Sequence, residues 1–151
     1  MTGKESNQLN VMIVDDESAV RNTILRLLED HFPAINVSAT AGSVEEAFQK
    51  LEKYRPDLLL LDVELPDGNA FDLLERIRER DFRIIFITGH QEYALAAFKV
   101  SALDYILKPL DPDEFQQAVD KALKIHDRRE ENLRLNILEE NLRSRKTLKR
   151  I

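Results

Sequence analysis

The 151-residue chain is 43% hydrophobic, contains no cysteine and carries a formal net charge of −6 at pH 7. Its length and composition fit one globular domain with an appendage rather than a disordered segment. The missing cysteines exclude disulfide frameworks, thiolate metal sites and cysteine nucleophiles, and the acidic balance argues against generic nucleic-acid binding.

Residues 1–10 are polar and hold no secretory apolar core, and the longest apolar runs, Leu58–Leu61 and Ile84–Ile87, fall far short of a bilayer span. A cytoplasmic location is therefore expected. Leu9–Val14 is a short β-rich run that ends on Asp15-Asp16-Glu17. Ser18–Asp30 follows with Val20, Ile24, Leu27 and Leu28 at helical spacing. Ile35–Ala39 reads as a second strand, and Ser43 with Glu46 reads as a capping box opening a helix whose apolar face is Val44, Ala47, Phe48 and Leu51. After the break at Arg55-Pro56-Asp57, the apolar run Leu58–Leu61 ends on Asp62.

Pro66-Asp67-Gly68 marks a turn, and Ala70–Arg80 is predicted helical with Phe71, Leu74 and Ile77 inward. Arg83–Ile87 is a buried strand ending on Thr88, Tyr93–Lys99 a short helix, and Ala102–Leu107 a strand leading into Lys108-Pro109. Asp111 is placed to cap the last helix, with Pro112 first and Glu114 closing a box. Phenylalanines 32, 48, 71, 86, 98 and 115 fall mostly at core phases. Apolar strands alternating with helices imply a doubly wound α/β domain over roughly residues 8–127, with a five-stranded parallel sheet covered on both faces.

The chain changes character beyond His126. From there to Ile151 eight Lys/Arg stand against five Asp/Glu, a balance of +3 that leaves −9 on the preceding 125 residues. Residues 128–151 are expected to extend the last helix or form a second one, with Leu135, Leu138 and Leu142 in a narrow stripe flanked by Leu133 and Ile137. Two readings stand side by side: a solvated tail, or a linker that pairs with a copy of itself.

In an open parallel sheet, ligands sit beyond the carboxyl ends of the strands. Those ends carry Asp15 and Asp16, Asp62, Thr88 and Lys108. Singly, each has an ordinary explanation as a helix cap or a surface charge. Together, three carboxylates on one rim repel unless a cation joins them, and Mg²⁺ is the natural candidate. An aspartate beside such an ion and a lysine is placed to attack a phosphoryl group, whose oxygens the lysine and the threonine hydroxyl would stabilise.

The set Asp15-Asp16, Asp62 with Pro66 four residues on, Thr88, and Tyr105…Lys108-Pro109 resembles the signature of response-regulator receiver domains over about residues 9–126. The runs Leu61–Phe71 and Ala97–Leu110 are similar to the branch joined to LytTR-type DNA-binding domains. The resemblance implies a flavodoxin-like fold with strand order 2-1-3-4-5. It also implies Asp62 as the phospho-acceptor and Asp15, Asp16, Asp62 and the Glu64 carbonyl around Mg²⁺. Thr88 and Lys108 would lie on the phosphoryl oxygens, Tyr105 would be a switch aromatic, and Lys108-Pro109 would be a cis peptide. Implied partners are a sensor histidine kinase, a second copy through the last helix or the fourth-helix face, and DNA only through an output domain absent from this chain. Glu64 and His90 would tune phosphoryl lifetime, and Gln91–Val100 would move on activation. His126 reads as a surface residue.

One position departs from the pattern: many receivers carry glycine eight residues after the acceptor, where this chain has Ala70 and places its glycine at Gly68. The function expected is a phosphoryl-driven switch, catalytic only toward its own phosphorylation and dephosphorylation, rather than an enzyme with a separate substrate. The competing readings are a phosphorylation-independent interaction module and an Asp-nucleophile phosphatase. The first predicts missing pocket residues, and the second wants an aspartate where Glu64 stands.

Overall fold

The computed structural model describes residues 8–149. Strands β1 (Leu9–Val14), β2 (Ile35–Ala41), β3 (Leu58–Leu61), β4 (Arg83–Thr88) and β5 (Asp104–Leu107) form one parallel sheet in the order β2-β1-β3-β4-β5. Helices α1 (Ser18–His31), α2 (Val44–Tyr54), α3 (Ala70–Glu75), α4 (Ala94–Lys99) and α5 (Pro112–Lys149) connect and cover it. This is the flavodoxin-like order expected from the sequence. Among the described residues no helix is long and apolar enough to cross a membrane.

Successive strand residues point to opposite faces, so each strand feeds two cores. Met12, Val14, Leu59, Leu61, Ile84 and Phe86 pack with Ala47 and Leu51 of α2, Leu73 of α3 and Ala97 of α4. Leu9, Val11, Ile13, Leu58, Leu60, Ile85 and Ile87 pack with Ile24 and Leu28 of α1 and Phe115 and Val119 of α5. Central strands buried on both faces explain the unbroken apolar runs at 58–61 and 84–87.

The pairing register places the strand ends. Val14 pairs with Leu61, and the Asp62 amide donates to the Val14 carbonyl at 2.9 Å, so Asp15 and Asp62 leave the sheet side by side. Thr88 pairs with Leu107, and the Lys108 amide donates to the Thr88 carbonyl at 2.8 Å. At the outer edge Met12 pairs with Ala39 rather than Ser38; the extra residue is a bulge whose hydroxyl donates to the Val11 carbonyl at 3.3 Å.

Several local expectations need correction. Helix α3 ends at Glu75 rather than Arg80, and the unwound stretch that follows lets Ile77 and Phe82 both lie against the core. Its start is a capping box of Asn69 and Asp72 that the sequence reading overlooked. At α2, Ser43 accepts from the Glu46 amide as expected, but the Glu46 carboxylate takes the Gly42 amide instead of closing the box on Ser43. Asp111 caps α5 through the Asp113 amide at 3.1 Å, without Glu114. Phe98 is 79% exposed rather than core, because α4 turns only its Ala97 face inward. His126 is half-buried rather than on the surface, since it continues the face of α5 that carries Val119 and Ala122, and its Nε2 is sealed from solvent without a partner.

The Pro66-Asp67-Gly68 turn closes a small antiparallel hairpin, Glu64–Leu65 against Gly68–Asn69. Gly68 has φ 155°, where a Cβ would meet Asp72 Oδ2 at 3.1 Å, so the glycine serves the turn. Ala70 is fully buried, with its amide on the Val63 carbonyl. The turn also lays Asp67 across the start of α2, where its two carboxylate oxygens accept from the Val44 and Glu45 amides at 2.7 and 3.0 Å.

These amides, Val44 first, hold the Asp67 carboxyl below its ordinary range. A depressed folded-state pKa supplies stability above the unfolded value of about 3.9 and loses it as pH falls through the folded one. Asp67→Asn should therefore lower the melting temperature at pH 7. The gap to wild type should close as the buffer is taken below about pH 4, which a thermal melt series by circular dichroism would follow. A gap that persists at low pH would mean that the turn, not the charge, is what matters.

Candidate functional site

Lys108 is the pivot of the rim. Its Nζ lies 2.8 Å from Asp15 Oδ2, 3.0 Å from Asp62 Oδ2 and 3.5 Å from Glu17 Oε1. Asp15 and Asp62 are buried, 2% and 7% exposed. The remaining Asp15 oxygen accepts from the Glu17 amide at 2.9 Å. Asp62 Oδ1 is buried with no hydrogen-bond partner, an expensive arrangement for a carboxylate oxygen unless a ligand supplies the missing contact.

Burial raises the Asp15 pKa, despite the Lys108 hydrogen bond and the Glu17 amide, and the nearby Asp62 charge adds to the effect. For Lys108, burial opposes the charged form. Hydrogen bonds to Asp15 and Asp62 outweigh it, and the ammonium is held above the ordinary lysine range. The site is thus a lysine clamped between two acids, one of which resists ionisation. Exposed Asp16 completes the acidic group: Asp15, Asp16 and Asp62 each bring a carboxylate oxygen within 4.8 Å of the others. The orphaned Asp62 oxygen and this all-carboxylate donor set suit a hard, oxygen-loving divalent cation.

Thr88, at the end of β4, is fully buried. Its Oγ1 accepts from the His90 amide at 3.4 Å, while the Tyr105 hydroxyl donates to the His90 carbonyl. One peptide neighbourhood therefore ties Thr88 to Tyr105, which also packs on Phe86 with ring centroids 5.9 Å apart. Lys108-Pro109 is cis.

Asp15, Asp16, Asp62 and Lys108 are thus brought together, with Thr88 on the neighbouring strand end. The Glu64 side chain is not part of that cluster. It is exposed, accepting from the Tyr93 hydroxyl at 3.0 Å and lying 3.2 Å from His90 Nε2, with Glu92 at 3.6 Å from the other ring nitrogen. Sequence reasoning missed Tyr93 and Glu92, which carried no signal beyond opening a short helix. It also missed the structural part of Glu17, which was legible only as the third acid after β1.

The chain matches the family model described as response regulator receiver domain over residues 11–120. It is 40% identical over 118 residues to the sensory transduction protein LytT of Enterococcus faecalis, covering 77% of this chain and 48% of that protein. It is 37% identical over 118 residues to the positive alginate biosynthesis regulatory protein of Pseudomonas aeruginosa, covering 76% and 47%. The chain therefore spans about half the length of the curated relatives it matches. Among solved structures, the REC domain of AraT, a response regulator from Geobacillus stearothermophilus, superposes with a TM-score of 0.74 at 30% identity, over 82% of this chain and 98% of that one.

Removing the clamp should expose its cost. The Lys108 contribution is present below the unfolded lysine pKa of about 10.4 and lost only as pH rises through the raised folded value, so the lysine stays charged at neutral and acidic pH and any loss on the acid side comes from its carboxylate partners. Lys108→Met should lower stability at pH 7 by about 1–3 kcal/mol, less than for a fully buried pair because the lysine retains some exposure. That deficit should shrink toward pH 4 as Asp15 takes up a proton, which urea melts at a series of pH values would reveal.

Proposed function

The chain belongs to the response-regulator receiver family of two-component systems, and from that premise we propose that Asp62 accepts a phosphoryl group from a kinase phosphohistidine in a Mg²⁺-dependent reaction. The observation that carries this reading is the Asp62 carboxylate itself: buried, with one oxygen on Lys108 and the other without a partner.

Asp15, Asp16 and Asp62, with the Glu64 carbonyl, would hold the ion. When bound, it supplies positive charge to the phosphoryl oxygens and to the crowded acids. The protein's own groups do the rest. An Asp62 oxygen attacks phosphorus, the phosphorus–nitrogen bond breaks, and the histidine leaves with the electron pair. Lys108 stabilises charge on the phosphoryl oxygens and retains Asp15 as its second partner. Thr88 Oγ1 can donate to a phosphoryl oxygen.

Moving Thr88 toward the phosphoryl group strains its bond from the His90 amide, and through the His90 carbonyl it disturbs Tyr105. Phosphorylation then shifts a two-state equilibrium over Gln91–Tyr105. That shift would change association with a second copy and control an output domain of LytTR type, with residues 8–127 as the receiver and 128–151 as the linker. The chain would act in the cytoplasm, with DNA contacted only by the output domain. Turnover would be confined to its own phosphorylation and hydrolysis. All five pocket residues are present, which weighs against a phosphorylation-independent module. Glu64 is engaged with Tyr93 and His90, which weighs against a phosphatase acid at that position.

Incubation with Mg²⁺ and acetyl phosphate should add one phosphoryl group to the intact mass. The gain should vanish with EDTA and in Asp62→Asn. No gain with acetyl phosphate or with a phosphorylated kinase domain would sink the proposal, and steady release of phosphate from many monoesters would favour the phosphatase.

A further inference from the structure

The ends of β3 and β4 lie side by side, with Leu61 paired to Phe86, and the chain leaves them through Asp62 and Thr88. Two residues beyond each of these, the side chains of Glu64 and His90 meet: Glu64 Oε1 is 3.2 Å from His90 Nε2. The bridge they make spans the gap between the two strand ends that carry the acceptor carboxylate and the buried threonine.

Two further groups hold this bridge. The Tyr93 hydroxyl donates to Glu64 Oε2 at 3.0 Å, and Glu92 Oε2 lies 3.6 Å from His90 Nδ1. Tyr93 ends the single 3₁₀ turn Gln91–Tyr93 that enters α4. Its ring is set by Phe71, with centroids 6.2 Å apart, and by His90 edge-on at 6.1 Å. The hydrogen bond to Glu64 and the charge of that carboxylate raise the Tyr93 pKa, so the phenol keeps its proton at neutral pH and remains a donor. Both Glu64 oxygens are thereby engaged, one by an O–H and one by an imidazole nitrogen. A carboxylate held in this way neither swings clear of the strand ends nor turns a free oxygen toward a water molecule.

We propose that Tyr93 is a positioning residue for the lifetime of phosphorylated Asp62: by fastening Glu64 against His90, it keeps that carboxylate closed over the acyl phosphate. The proposal rests on the reading of Asp62 as the acceptor. In hydrolysis a water oxygen bonds to phosphorus, the bond from phosphorus to the Asp62 oxygen breaks, and the electron pair returns to the Asp62 carboxylate. The proton of the water passes to solvent or to a nearby base. A fastened Glu64 slows this step in two ways. The bridge lies across the route from solvent to phosphorus, and its engaged oxygens are poor acceptors for the proton. Loosening Glu64 opens the route and frees an oxygen, so both effects carry the same sign. Tyr93 also belongs to the Gln91–Tyr105 segment whose equilibrium phosphorylation is proposed to shift. Whatever draws the 3₁₀ turn away from the strand ends therefore shortens the life of the signal.

The test compares wild type, Tyr93→Phe, Glu64→Ala and the double variant. Each is phosphorylated with acetyl phosphate and Mg²⁺, rapidly desalted, and followed by loss of the phosphoryl group from the intact mass. Tyr93→Phe should hydrolyse roughly two- to tenfold faster than wild type, the range expected for one hydrogen bond. In the Glu64→Ala background the same change should leave the rate unaltered, an outcome that a merely structural role of the ring would not produce. Phenylalanine keeps the ring that packs on Phe71 and His90, and an unchanged melting temperature would verify the fold. A Tyr93→Phe rate no faster than wild type, or the same acceleration with and without Glu64, would overturn the proposal. Absence of phosphoryl uptake by the wild type would sink the acceptor reading and this one with it, whereas normal uptake with hydrolysis indifferent to Tyr93 would sink this one alone.

Discussion

The ammonium of Lys108 between the buried carboxylates of Asp15 and Asp62 is the constraint on which the rest of the molecule turns. Two acids at the buried rim of a parallel sheet would drive each other toward protonation. The lysine lets them remain close, and its own charge is secured by them. Each member comes from a different strand end, so the cluster exists only if β1, β3 and β5 hold their register. The apolar side chains of 11–14, 58–61 and 84–87 enforce that register, because a slip of one residue would exchange the two faces of the sheet. Hydrophobic patterning and polar chemistry are in this sense one specification: the strands are apolar so that the acids at their ends can be placed.

Much of this was legible in the sequence. The strands stood out as short apolar runs ending on polar residues, and the placing of ligands at strand carboxyl ends turned scattered letters into one rim. The parts that were not legible are those where a side chain acts across the chain. Asp67 reads as a turn residue, yet it caps α2 through two amides 22 and 23 residues away in sequence. Asn69 and Asp72 form a capping box hidden behind the stronger Pro-Asp-Gly signal. Glu46 met its sequence expectation in type but not in partner: its carboxylate accepts from the Gly42 amide, one residue before Ser43, and also pairs with Lys50. Phe98 was misplaced because hydrophobicity alone does not reveal that a six-residue helix has only one buried side.

The link between the pocket and the outer surface is equally specific. His90 contributes nothing to the acidic cluster, yet its backbone serves both Thr88 and Tyr105, and its ring is held between Glu64 and Glu92. On the proposed phosphorylation, a displacement at Thr88 would reach Tyr105 through this one peptide neighbourhood. The adjoining α4 is well suited to respond. It is short, holds the core through Ala97, and leaves Leu95 and Phe98 to solvent at 66% and 79% exposure, so repositioning it costs little buried area.

Helix α5 leads away from this region for 38 residues. Its first turns are fixed to β4 and β5 by Phe115 and Val119 in the core shared with Ile87 and Ile106. The rest runs on with no glycine or proline to bend it. Beyond residue 130 the apolar residues stand on two sides: Leu133 and Ile137 continue the direction of Phe115, and Leu135, Leu138 and Leu142 face the opposite way, all of them exposed. The first half of the helix is thus fixed by the core of its own domain, while the apolar side chains of the second half are left to solvent.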